Sequence, residues 1–213
     1  MTKPYKTLLR SSCEEYMINK SRFIAFAAHI ENVEEALNAI QTQREQYPNA
    51  THHCYAYVID ENGSNSRFSD DGEPSGTAGM PILNVLKKQN LCRSIVVVTR
   101  YFGGILLGAG GLTRAYTHSA VIAVQAAEVG TSFPGMVLRL TLPYAQYNSI
   151  RYHLLQPEMS FVHITDTAFD ECVSLTLQVR QMDFQLLEQR LSKLLNGVPP
   201  LSCIAKQDIV WQA

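Results

Sequence analysis

A chain of 213 residues with 46% hydrophobic and 17% charged side chains is ordinary globular material, long enough for one large or two small domains. Its 18 Lys and Arg against 19 Asp and Glu leave a formal charge of −1, which excludes a strong nonspecific polyelectrolyte binder and restricts any nucleic-acid contact to a local patch. Five scattered cysteines with no C-x-x-C pair suggest neither a disulfide framework nor a thiolate zinc site; with no signal-peptide core and no apolar run near the roughly 20 residues of a membrane-spanning helix, the chain reads as cytoplasmic.

Residues 1–16 are polar and mixed, with a first strand expected within Lys6 to Ser12. Arg22 to Ile30 is aromatic and apolar enough for a strand, and Val33, Ala36, Leu37 and Ile40 then recur at helical spacing up to Tyr47. Asn32 is placed to cap that helix, Glu34 and Glu35 lie in the turn where the dipole favours them, and Pro48-Asn49 stops it. His52 to Ile59 alternates as a strand, closed by the turn Asp60-Glu61-Asn62-Gly63. Neighbouring His52 and His53 point to opposite faces of such a strand and cannot share one metal. His52 and Cys54 share a face, but two ligands do not make a site, and a histidine hydrogen-bonded beside the following acidic loop is the plainer reading.

The run from Phe68 to Tyr116 concentrates the chemistry. Its first loop sets Asp70, Asp71 and Glu73 within four residues around Gly72 and follows them with Gly76, Thr77 and Gly79, small residues that allow backbone to approach a partner. Pro74 keeps Glu73 extended, so the carboxylates sit on a turn; they would either hold Mg²⁺ or cap neighbouring amides. Thr77 or Ser75 is expected to cap a helix running to about Gln89 with Pro81 in its first turn. Ser94 to Thr99 is β-branched without polar alternation, which predicts a strand covered on both faces. A second loop, with Gly103, Gly104, Gly108, Gly110 and Gly111, feeds a helix from about Leu112 to Ala127. Backbone N–H groups at such a helix start form a ready anion site, and Arg100 and Arg114 are expected to add guanidinium contacts to a phosphate or carboxylate. Glycines there also serve simply to bring helix and strand close, and the loop matches neither G-x-x-x-x-G-K-[ST] nor G-x-G-x-x-G.

Gly130 to Gly135 interrupts periodicity, which divides the chain into residues 1–133 and 136–213. The second part reads strand Met136–Leu142, helix Tyr144–Leu155, strands Ser160–Phe169 and Glu171–Arg180, helix Asp183–Leu195 and strand Leu201–Ile209. That βαββαβ order is the ferredoxin-like arrangement. Trp211 is expected to pack against its sheet, and Asn196-Gly197 to end its last helix.

The strings FSDDGEPSGTAGMPIL and VVVTRYFGGILLGAGGLTRAY resemble the signature of the IMPACT family and its bacterial, YigZ-type branch. The resemblance covers nearly the whole chain. It implies an α+β protein of two domains: one similar to the second domain of ribosomal protein S5, and a ferredoxin-like one, in series like the fourth and fifth domains of elongation factor G. The family's H-H-C-x-A pattern also falls on His52 to Ala56 and places His53 on the functional face. Eukaryotic members act in translational control, interfering with activation of the kinase that senses amino-acid starvation; no reaction comes with the likeness. Three functions follow as expectations. The first is a translation-associated regulator binding RNA, the ribosome or a translation factor through Asp70–Gly79 and Arg100–Arg114. The others are a protein-docking module without chemistry and a small Mg²⁺-dependent enzyme acting on a phosphate or nucleotide ligand, although the loop lacks the serines of S5-like kinases. Oligomeric state is not specified.

Overall fold

The computed structural model describes residues 3–60 and 63–212, so Glu61 and Asn62 of the expected turn lie outside the described residues. The fold is α+β in two compact units, Tyr5–Thr131 and Ser132–Trp211.

In the first unit the elements are β1 (Tyr5–Leu8), β2 (Ser12–Ile18), β3 (Ser21–His29), α1 (Val33–Gln46), β4 (His52–Val58), β5 (Ser66–Ser69), α2 (Gly79–Lys88), β6 (Ser94–Tyr101) and α3 (Gly108–Ala127). The sheet runs β2-β3-β6-β4-β5 with every neighbouring pair antiparallel. Its central strand is β6, and the unbroken β-branched run that forms it is buried on both sides. Val96 and Val98 enter the core with α2 and α3, while Ile95 and Val97 enter the core with α1. α1 begins as expected, with Asn32 Oδ1 accepting the Glu35 N–H at 3.0 Å. β2 was not legible in the polar opening: it is an edge strand whose Tyr16 and Ile18 pack on the core while Glu15 faces solvent and pairs with Arg22. The helix expected from Leu112 starts a turn earlier, at Gly108, so three of the loop glycines belong to its first turn.

The second unit contains β7 (Val129–Leu142), α4 (Tyr144–Leu154), β8 (Val162–Phe169), β9 (Val173–Arg180), α5 (Phe184–Leu195) and β10 (Leu201–Gln212). β10, β7, β9 and β8 lie side by side in that order, the ferredoxin-like 4-1-3-2 arrangement. Gly130–Gly135, where the periodicity of the sequence breaks, lies within β7, and Gly135, without a side chain, leaves room for Ile209, whose Cγ1 lies 2.5 Å from where a Cβ would be. Leu138, Leu140, Leu175, Leu177, Leu187 and Leu191 form the core between the sheet and the helices. Asn196 ends α5 in the left-handed region at φ 52°. Trp211 stacks on His163 with centroids 3.8 Å apart. No helix among the described residues is long and apolar enough to cross a membrane.

Candidate functional site

The register of β3, β6 and β4 sets Phe23, Arg100 and His52 side by side at one end of the sheet. Alternation turns them towards α2 and α3, the face whose core includes Phe23, Cys54 and Val98. The acidic loop folds over this end. Glu73 is driven inward until its side chain is 3% exposed; its Oε1 accepts from Arg100 Nη1 at 2.5 Å and from the Tyr116 hydroxyl at 2.8 Å. His52 Nδ1 donates to the Asp71 carbonyl at 2.8 Å, which leaves Nε2 3.9 Å from the same Glu73 oxygen. Cys54 Sγ lies 3.0 Å from the Asp70 carbonyl and 3.3 Å from the Tyr116 hydroxyl. Burial pushes both the Cys54 thiol and the Tyr116 phenol up, so each keeps its proton at neutral pH.

Each of the three loop carboxylates has its own protein partner. Asp70 Oδ1 accepts the N–H groups of Ala78 at 3.0 Å and Gly79 at 2.8 Å, and its Oδ2 accepts that of Gly76 at 2.9 Å. Asp70 therefore caps α2 across eight residues, in place of Thr77 or Ser75; Thr77 Oγ1 instead donates to the Pro74 carbonyl at 2.7 Å. Asp71, at φ 41°, accepts the His53 N–H at 2.7 Å and the Arg44 guanidinium at 3.1 Å. An Mg²⁺ held by Asp70, Asp71 and Glu73 would need these carboxylates to converge, whereas they diverge. Among the described residues no group of three or more His, Cys, Asp or Glu converges as metal ligands. Gly79 is required by close approach: a Cβ there would lie 2.7 Å from the Ser69 carbonyl.

Arg100, expected to face an anion, is 4% exposed and committed to Glu73, with its guanidinium 3.3 Å from Ser21 Oγ and over the rings of Phe23 and Phe102. His53 points to the other face of β4, opposite Thr99; its Nε2 finds no partner among the described residues, and burial holds the ring below the usual histidine range against the opposing pull of Asp71. Tyr116, Ser21 and Arg44 escaped the sequence reading. The one available signal was a tyrosine within the inward stripe of small residues on α3, Ala115, Ser119, Ala120 and Ala123.

The glycine loop is anchored from both sides and open at its tip. Gly103 packs so tightly on the β2–β3 turn that a Cβ would fall 2.0 Å from the Lys20 carbonyl carbon, and its N–H donates to Ser21 Oγ at 3.2 Å. Phe102 N–H donates to Thr51 Oγ1 at 3.1 Å. Beyond these anchors Ile105 and Leu106 are 43% and 86% exposed. Gly104 and Gly108 take φ values of 81° and 69°, which turn the chain into α3. That 20-residue helix has no side-chain cap and no acidic residue in its first turn; Gly108, Ala109 and Gly110 are exposed, as is Arg114.

Comparison with known proteins covers both units. The Impact N-terminal domain model matches residues 19–124, and a domain of unknown function, DUF1949, matches 140–198. The Bacillus subtilis protein described as IMPACT family member YvyE is 37% identical over 197 residues, covering 92% of this chain and 89% of its own. A Haemophilus influenzae IMPACT family member is 34% identical over 185 residues, covering 86% and 88%. A crystal structure described as that of a hypothetical protein superposes with a TM-score of 0.61 at 30% identity, covering 97% of this chain and 100% of the other.

Proposed function

The chain belongs to the IMPACT family, and from that premise we propose that it is a cytoplasmic, translation-linked binding module that grips backbone phosphate of ribosomal RNA at the open start of α3. The observation that carries this reading is the bare first turn of a 20-residue helix: exposed Gly108, Ala109 and Gly110, no capping side chain, no carboxylate, and an exposed Arg114 one turn on. The translational control in which eukaryotic members act supplies the context. The loop is held in shape by Gly103 on the Lys20–Ser21 turn and by the buried Glu73–Arg100 pair beneath it, so little ordering is needed on binding. A formal charge of −1 fits contact with few phosphates, on the order of one to three, and a correspondingly shallow salt dependence.

The test is cosedimentation with ribosomes at low and moderate salt. Arg100 is unsuitable for substitution because it is structural; Arg114→Ala and Gly110→Asp are suitable. Gly110 is helical, and a Cβ there meets only Arg114 Nη1 at an ordinary 3.5 Å. An aspartate in the first turn stabilises the helix by about 0.3–1 kcal/mol while placing a negative charge on the anion site. Association is expected to fall at least about tenfold in Gly110→Asp without loss of stability. Unchanged association overturns the reading. A protein-docking reading of this loop is favoured by the exposed Phe102, Ile105 and Leu106, and it predicts that Leu106→Ser, not Gly110→Asp, abolishes partner binding there.

A further inference from the structure

Between α2 and α3, on the side away from the sheet, lies a groove of about 550 Å³. Met80, Pro81 and Val85 of α2 and Val121 of α3 make it apolar, and Thr113 and Thr117 edge it with hydroxyls. Thr113, Thr117 and Val121 follow one another at every fourth residue, so the groove runs about 12 Å along α3, the length of two helical turns. Met80 remains 39% exposed at its mouth.

The one charged side chain that lines the groove is that of Lys88. Neither α2 nor α3 contains an Asp or Glu, whereas Lys87 and Lys88 close α2. The carboxylates of the neighbouring loop are directed elsewhere. Asp70 is spent on the amides of Gly76, Ala78 and Gly79, and Glu73 is buried against Arg100.

We propose that this groove docks a short acidic amphipathic segment of a partner protein, laid down as about two turns of helix with apolar side chains over Val85 and Val121 and carboxylates towards Lys88. The apolar floor argues for a peptide, and Lys88 at the groove with no carboxylate on either helix argues for an acidic one. This site is separate from the anion site at the start of α3, and its occupant is a different class of molecule.

The experiment pans a displayed library of random 12-residue peptides against the full chain and against Thr117→Arg. That substitution fills the groove while adding positive charge, so electrostatics alone would raise binding. Circular dichroism checks that the variant is folded. Peptides enriched by the native chain are expected to combine Glu or Asp with Leu or Phe at helical spacing and to be lost with Thr117→Arg. A fluorescein-labelled consensus peptide is then expected to bind at least about tenfold more weakly to Lys88→Glu and within about threefold as well to Gly110→Asp, which separates this site from ribosome association. Absence of enrichment, enrichment of basic sequences, or equal enrichment by both chains overturns the proposal. So does displacement of the peptide by a uridine dodecamer, which would assign the groove to nucleic acid, or a concentration-dependent dimer abolished by Thr117→Arg, which would assign it to a second copy of this chain.

Discussion

Replacing Glu73 with Gln removes the negative partner of a guanidinium that is 4% exposed and packed between two phenylalanine rings. Gln retains the shape and can still accept from Tyr116, so the change isolates the charge. Removing one member of a buried pair leaves the other uncompensated and typically destabilises by about 3–5 kcal/mol. Arg100 Nε already lacks a partner among the described residues, which leaves the guanidinium little alternative compensation. Arg100→Met in the same background removes the stranded charge, and the double variant is expected to recover at least about 2 kcal/mol relative to the sum of the single changes. The assay is urea unfolding followed by circular dichroism at 222 nm, since the first unit's helices of 14, 10 and 20 residues outweigh the 11- and 12-residue helices of the second. Trp211 fluorescence follows the second unit separately. A Glu73→Gln change smaller than about 1 kcal/mol, or strict additivity with Arg100→Met, would refute the view of this pair as the clamp that holds the acidic loop on the sheet.

Three further outcomes are expected. Asp70→Ala should accelerate amide exchange at Gly76, Ala78 and Gly79 and destabilise by at least the ~1 kcal/mol of an ordinary lost cap, with exchange in α1 unchanged. Gly79→Ala drives a methyl into the Ser69 backbone and should lower stability by about 1–3 kcal/mol, whereas Gly110→Ala, with only ordinary contact, should raise it by about 0.4–1 kcal/mol; thermal unfolding compares the pair. His53 is held below its unfolded pKa by burial, so its contribution is complete above about pH 6.5 and lost as pH falls through that value, because the unfolded chain takes up the proton first. Stability measured between about pH 7.5 and 5 should therefore decline on acidification, by at most about 1.4 kcal/mol per pH unit for this group, and the slope should be shallower in His53→Gln.

Local pattern made much of the architecture legible. The unalternating run in β6 could only be a strand buried on both faces, Asn32 followed by two glutamates marked the start of α1, and the second unit's alternating and 3.6-period stretches spelled βαββαβ in order. Each of these signals depends on residues within a few positions of one another. β2 was missed for the same reason: an edge strand with adjacent glutamates shows its buried side only once β3 and α3 are beside it.

The two glycine loops and the family were evident in the amino-acid sequence, because composition and order carry them. Which side chains those loops turn outward was decided only by tertiary structure. Arg100 meets Glu73 across 27 residues and Glu73 meets Tyr116 across 43, so no local spacing distinguishes an arginine offered to a phosphate from one buried as a clamp. Asp70 likewise serves as a helix cap because the loop folds back on itself, and the groove between α2 and α3 exists only where two helices distant in sequence lie on one sheet. Charge and periodicity determine what each segment can become, while desolvation of paired groups and close backbone approach, which require the whole unit, determine which surfaces remain for a partner.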